Sequence, residues 1–308
     1  MSGWQGLKKG DLVDVIAPGS KCTQLELENG LQFLQAWGLR TRVARNIFGQ
    51  DPICANTDEI RFSQLRDALT NSESKAVWCV RGGYGSIRLV PSLARLRRPK
   101  GSPKLFIGYS DVTTIHVFLN QEWNWPTIHG PMLDRLGRNI TSPKHLRELK
   151  SLVFGGETEI LFNGLKPMNQ AAKKVKTIRG QISGGNLVTL QSSIGTEAAW
   201  KTNGRIIFLE EIAERGYRLD RMFSQLSQVG AFKNAKAIVL GDFLGGDEKD
   251  GTTQVPRVLR RFAESLDIPV MKGIRAGHGS IQRPVPFATV AKLKTGARGS
   301  LICSTGLA

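Results

Sequence analysis

The sequence predicts an α/β protein whose first half builds a parallel sheet covered by helices on both faces. Short apolar runs alternate with helical patterns over residues 11–120, each run closed by Gly, Pro or a polar turn. That alternation stops around 155–180, and the second half mixes strands and helices.

The elements follow in order. DLVDVIA (11–17) reads as a strand ended by Pro18 and Gly19. TQLELENGLQFLQAWG (23–38) reads as a helix with Leu25, Leu27, Leu31, Leu34 and Trp37 as its apolar stripe and Gly38 as its stop. LRTRVA (39–44) is a short strand. Thr57 followed by two acids marks the start of a helix over 57–71. AVWCV (76–80) is a buried strand running into RGGYGS, and LFIGY (105–109) is the next strand, followed by a helix over 111–120. FGGETEILFNGLKPMNQAAKKVK lacks helical period, so the domain boundary is placed there: an N-terminal domain 1–155, a linker 156–180 and a C-terminal domain 181–308. In the last part, 184–195, 217–230 and 255–267 read as helices, with Pro256 in the first turn of the third. GRIIFLEE, AKAIVLGDF, FATVAKLKT and SLICS read as strands, the last two alternating like exposed ones.

Composition narrows the function classes. Lys and Arg number 43 against 26 Asp and Glu, a net charge of +17, which suits an anionic ligand or partner. The basic clusters at 96–104, 173–176 and 257–261 carry few aromatics and no nucleic-acid motif, so direct nucleic-acid binding is not expected. No run reaches the roughly 18 apolar residues that span a bilayer, and the N-terminus lacks a secretory pattern, so a cytoplasmic chain is expected. Cys22, Cys54, Cys79 and Cys303 are scattered without a CxxC pair and read as buried apolar residues, not zinc ligands. Asp242, Asp247 and Asp250 in GDFLGGDEKD read as solvated carboxylates; no metal and no cofactor are expected.

In open α/β sheets, sites gather beyond the carboxyl ends of the strands. RGGYGS and GYSD both lie there. Gly82 and Gly83 form either a tight turn or a place where backbone N–H groups approach a ligand. Ser110 has two readings. It matches a nucleophile elbow incompletely, with Gly108 present but Val112 where the second Gly would stand, and this stretch alone better suits a helix cap, as does Asp111. A nucleophilic serine needs a base and an acid to orient it. Of the four histidines, His116 falls within a helix, His145 within a charged helix, His129 in the turn HGPM, and His278 in the glycine loop GIRAGHGS. An apolar strand ending in Glu210 and Glu211 offers the acid, and Ser110, Glu210, His278 then follow in the chain order serine, acid, histidine.

Taken together, VIAPGS, RGGYGS, FIGYSDVT, HGPM, GQISGGNL, FLEEIAERGYRLDRMFSQL and GIRAGHG, in that order over roughly 10–300, resemble the LD-carboxypeptidases of serine peptidase family S66. That family includes murein tetrapeptide carboxypeptidases and microcin C self-immunity peptidases. The resemblance implies an N-terminal Rossmann-like α/β domain, a C-terminal β-rich α/β domain and a site between them. It implies a triad of Ser110, Glu210 and His278, with Glu211 as the fallback acid, and tips Ser110 toward nucleophile while Asp111 still caps the helix. The backbone N–H groups of Asp111 and Gly83 would form the oxyanion hole. His129 and Asn186 would be structural or would support the triad. The implied reaction is release of a C-terminal D-amino acid from an L-centre of a murein peptide, with a homodimer as the implied assembly. Arg81, opening the glycine loop, is a candidate for holding the substrate carboxylate. Two alternatives compete. One is a microcin-immunity-type peptidase acting on nucleotide conjugates, disfavoured because 155–180 has Phe162 but no Trp. The other is a non-catalytic basic protein binding phosphate or nucleic acid through its glycine loop.

Overall fold

A computed structural model describes residues 3–308. Its first half runs β1 (Leu12–Ile16), α1 (Gln24–Ala36), β2 (Arg40–Val43), α2 (Asp58–Thr70), β3 (Ser74–Cys79), α3 (Val90–Ala94), β4 (Leu105–Gly108), α4 (Thr113–Glu122), β5 (Thr127–His129), α5 (Leu133–Gly137) and α6 (Pro143–Val153). The second half runs β6 (Glu159–Pro167), α7 (Gln170–Lys173), β7 (Thr177–Asn186), α8 (Leu187–Ser192), β8 (Arg205–Ile212), α9 (Gly216–Gln228), β9 (Ala237–Leu244), α10 (Val255–Glu264), β10 (Val270–Lys272), β11 (Val285–Phe287), β12 (Val290–Lys294) and β13 (Gly299–Ser304).

The first sheet has the order β11-β5-β4-β3-β1-β2, and β1 to β5 are mutually parallel. Strand β4, at its centre, is apolar throughout because helices cover both faces, and every residue of it is buried. Helix α1 begins with a capping box, Thr23 accepting from the Glu26 N–H while Glu26 accepts from the Thr23 N–H. Leu27 and Leu34 face the core, and Gly30 lets α1 approach α5 closely, since a Cβ there would lie 2.8 Å from the Leu133 carbonyl oxygen. Leu25 does not belong to that stripe; it is 65% exposed. Thr57 caps α2 by accepting from the Ile60 N–H.

The second half closes a barrel in the order β10-β6-β13-β12-β7-β8-β9. Strands β7, β8, β9 and β10 run parallel, and β6, β12 and β13 complete the barrel by antiparallel pairing. The structure revises three segment readings. The stretch 156–180 holds β6, α7 and the start of β7; β6 pairs with both β13 and β10, so it is barrel wall, not a free connection. Gly184 to Asn186 end β7 rather than begin a helix. His129 ends β5 instead of lying in a turn. Strand β11, late in the chain, leaves the barrel and pairs antiparallel with β5, so the C-terminal half supplies the edge of the first sheet. That crossing carries the segment before β11, including His278, over the carboxyl ends of β4 and β5.

Candidate active site

The site grows from the end of β4. Tyr109 is extended and Ser110 has φ +62° before a tight turn leads into α4. A non-glycine residue held in this left-handed region stores strain of about 1–3 kcal/mol, and such outliers gather at functional sites. Ser110 is half-buried and caps neither the turn nor α4. The incomplete elbow motif has a steric reason: Val112 packs on Gly108, where a Cβ would lie 2.7 Å from Val112 Cγ1.

The glycine loop lies against this turn. A Cβ on Gly82 would stand 2.9 Å from Ser110 Cβ, 3.2 Å from its Oγ and 3.3 Å from the Asp111 nitrogen. Gly82 is therefore the glycine in direct contact with the serine. Gly83 has φ +87° and packs on Ser20. The VIAPGS turn braces the loop: the Ser20 N–H donates to the Gly82 carbonyl at 2.8 Å, and Ser20 Oγ accepts from the Tyr84 N–H at 3.1 Å. Asp111 does not cap the helix. Its buried carboxylate accepts from the Ser86 N–H at 2.9 Å, tying the loop to the elbow, and burial raises its pKa.

Across the cleft, Glu210 and Glu211 end the buried part of β8 and diverge. Glu210 is fully buried, and its Oε2 accepts from His278 Nδ1 at 2.7 Å. Glu211 turns the other way and accepts from Asn186 Nδ2, the Val188 N–H and the Ile212 N–H, each at 2.8 Å. Burial, with the charge of Glu210 added, pushes the Glu211 pKa up to about 7. Asn186 in turn caps α8 through the Thr189 N–H, and its own N–H donates to Thr113 Oγ1 at 3.1 Å, which joins the barrel to the start of α4.

The loop bearing His278 is held on both sides. Gly277 has φ +126°, and a Cβ there would lie 2.8 Å from Glu210 Oε2, so only glycine lets this loop close on the carboxylate. The Gly279 N–H donates to Asp242 Oδ2 at 3.2 Å, and its carbonyl accepts from Arg135 on α5. The Tyr109 ring packs on the His278 ring with centroids 4.8 Å apart, placing the histidine beside the residue that precedes Ser110. Burial works to lower the His278 pKa; the charge and hydrogen bond of Glu210, followed by Glu211, outweigh it, and the pKa is raised. With Nδ1–H committed to Glu210, Nε2 of a neutral ring is free to accept a proton.

The other histidines are placed differently. His116 Nε2 lies 2.9 Å from the Gly108 carbonyl and must donate to it, so Nδ1 accepts from the Thr127 hydroxyl; burial pulls its pKa down to about 4. His129 is wholly buried among Tyr109, Phe208 and Phe287, neither ring nitrogen has a hydrogen-bond partner among the described residues, and burial holds it neutral. His145, on α6, bonds Ser142, the residue just before that helix.

The sequence reading missed three contributors: Tyr109, Arg135 and Asp242. Asp242 is half-buried at the carboxyl end of β9 and not part of a solvated cluster, and burial raises its pKa to about 6. Its place one strand from Glu210 was the available signal. Asp250 is exposed and holds Thr252. Among the described residues no group of three or more His, Cys, Asp or Glu side chains could hold a metal ion, and no helix is long and apolar enough to cross a membrane. All four cysteines are free and buried. Arg81 is half-buried, makes no hydrogen bond or ion pair within the described residues, and its charge acts on Asp134.

Comparison with known proteins supplies the family. The model of the LD-carboxypeptidase N-terminal domain matches residues 13–130 and that of the LD-carboxypeptidase C-terminal domain matches 179–293. This chain belongs to the LD-carboxypeptidase family, S66. It is therefore placed among serine peptidases. A putative carboxypeptidase of Rickettsia conorii is 41% identical over 83% of this chain and 80% of that protein. The murein tetrapeptide carboxypeptidase of Pseudomonas aeruginosa is 30% identical over 92% of each chain. The crystal structure of muramoyltetrapeptide carboxypeptidase from Oxalobacter formigenes superposes with a TM-score of 0.82 at 27% identity, covering 96% of this LD-carboxypeptidase chain and 100% of the other. The microcin C7 self immunity protein superposes with a TM-score of 0.82 at 19% identity over 99% of each chain, a likeness of fold alone.

Proposed function

We propose that this member of the LD-carboxypeptidase family releases the C-terminal D-alanine from the L-centre of murein tetrapeptides, with Ser110 as nucleophile, His278 as general base and Glu210 as the orienting acid. The observation that carries the reading is the bond from His278 Nδ1 to the buried Glu210, made under the ring of Tyr109 and beside the strained Ser110. His278 Nε2 takes the Ser110 proton as Oγ attacks the scissile carbonyl. Glu210 holds the tautomer and stabilises the imidazolium. His278 then protonates the leaving amine of D-alanine, and water, activated by the same histidine, hydrolyses the acyl-enzyme. The oxyanion is held by the Asp111 N–H with the Gly83 N–H as second donor, and the contact of Gly82 with Ser110 Oγ and the Asp111 nitrogen supports a glycine-loop donor there.

The family membership and the murein-peptide carboxypeptidases named among its relatives support this substrate. A muropeptide carries several carboxylates, which the basic chain suits. Arg81 binds the terminal carboxylate in this reading, and Arg81→Ala raises KM for a free-carboxylate substrate; an unchanged KM rules that role out. The reading places the enzyme in cytoplasmic peptidoglycan recycling, acting as a homodimer. The nucleotide-conjugate alternative gains nothing from the fold: Phe162, the aromatic residue of 155–180, is 2% exposed inside the barrel wall and cannot stack on a base.

The test is D-alanine release from L-Ala-γ-D-Glu-meso-diaminopimelate-D-Ala in EDTA, by wild type and Ser110→Ala. Release by wild type, with a loss on the order of 10³-fold or more in the variant, is expected. Equal release by both overturns the serine mechanism. Release by neither overturns the murein substrate.

A further inference from the structure

Hydrolysis of a small acidic peptide does not explain where the basic charge lies. On the outside of the barrel, strand register sets cations directly against cations. Lys292 is opposite Arg179 across β12 and β7, and Lys272 is opposite Lys166 across β10 and β6; all four are exposed. Lys294 connects the two pairs: its row continues through Ser300 on β13 to Asn163 on β6, with no acid between. Lys176 extends the band just before β7. None of these six side chains is in an ion pair among the described residues.

Like charges directly opposite on one face destabilise a strand pair. Lysines on strands often guard an exposed sheet edge. Here every strand concerned has neighbours on both sides in a closed barrel, so there is no edge to guard. The band also carries apolar tips: Val175, between Lys174 and Lys176, is 72% exposed, and Val290, on the same face as Lys292, is 53% exposed. The face is built from strands. It presents no aromatic side chain on which bases would stack, and no recognition helix to enter a groove.

We infer that this face of the barrel docks the protein on an anionic lipid surface. Cations meet the headgroups, and the two valines reach the interface. Arg179 lies near the start of β7, and Asn186, at the site, ends it, a separation of roughly 23 Å along the strand, so docking through Arg179 and its cross-strand partner Lys292 leaves the cleft open, while Lys272, in register with Leu240 and Leu209, lies toward the site end of the barrel. The inference stands whether or not the hydrolase reading does.

The experiment is co-sedimentation of the full chain with phosphatidylcholine vesicles and with vesicles containing phosphatidylglycerol, at about 50 mM and about 500 mM salt. Binding to the anionic vesicles alone, lost at high salt, is expected. The double variant Arg179→Glu/Lys292→Glu weakens it by about tenfold or more, whereas Arg97→Glu/Arg98→Glu, the same charge change on an exposed loop of the first domain, weakens it by less than about threefold. Circular dichroism and thermal melts check that both variants fold. Equal weakening by the two variants shows only general charge attraction and overturns the inference. So does absence of binding by wild type, or a preference for duplex DNA over the anionic vesicles that depends on Arg179 and Lys292.

Discussion

His278 Nδ1 lies 2.7 Å from Oε2 of Glu210, while the adjacent Glu211 points away and is bound by Asn186 and two backbone N–H groups. Two neighbouring carboxylates thus have separate tasks, one set on the histidine and one locking α8 to β8.

The two glutamates should separate cleanly on mutation. In the proposed mechanism Glu210→Gln removes the charge that stabilises the imidazolium, and it is expected to lower kcat by roughly 10³–10⁴-fold with little change in KM. Glu211→Gln keeps one acceptor oxygen for α8 and is expected to lower kcat by less than about tenfold. Steady-state kinetics of the pair decides; a loss in Glu211→Gln as deep as in Glu210→Gln would reassign the acid.

In the proposed mechanism His278 is the base and must be neutral, so the acid limb of kcat/KM should follow it. Its pKa is raised, so activity is expected to fall as pH drops through a value above the ordinary 6.5. Glu210→Gln removes the main upward influence and moves the limb to lower pH. Arg135 acts in the opposite sense, since its charge lowers the His278 pKa and its guanidinium holds the Gly279 carbonyl. Arg135→Met is expected to move the limb upward and to reduce kcat more than it alters KM. A limb unmoved in both variants would mean that another group controls it.

Gly82 and Gly277 make different demands, and alanine distinguishes them. Gly277 has a positive φ and no room beside Glu210, so Gly277→Ala is expected to cost both activity and about 1–3 kcal/mol of stability. Gly82 is not in the left-handed region; its added methyl meets chiefly Ser110. Gly82→Ala is expected to lose about 10²-fold in kcat, because its methyl, 2.9 Å from Ser110 Cβ, forces the turn that carries the serine to shift. Thermal melts read beside the kinetics check this, and full activity in Gly82→Ala would remove the glycine loop from the reacting centre.

Much of the first sheet was legible because its signals are local. The capping box at Thr23, the cap at Thr57, the apolar run that ends β3 and the wholly apolar strand β4 each follow from a few consecutive residues. The second half was harder to read. Strand β6 reads as a connection in the sequence because Gly164 and Pro167 interrupt its pattern, yet β13, far along the chain, supplies its hydrogen bonds. Leu25 was misplaced because a helical stripe read from spacing alone does not say how wide the covered face is.

The sequence by itself determined the alternation of strands and helices in the first half, the turn that carries Ser110, the strand that ends in two glutamates and the glycine loop that carries His278. Tertiary structure alone decided which glutamate meets the histidine, that Asp242 and Arg135 hold its loop, and that Asp111 binds the glycine loop instead of capping a helix. The reason is geometric. Successive strand residues point to opposite faces, so Glu210 and Glu211 differ only in which side a partner approaches from, and that partner is 68 residues away in the chain, placed by a barrel and by a strand that crosses to the other sheet.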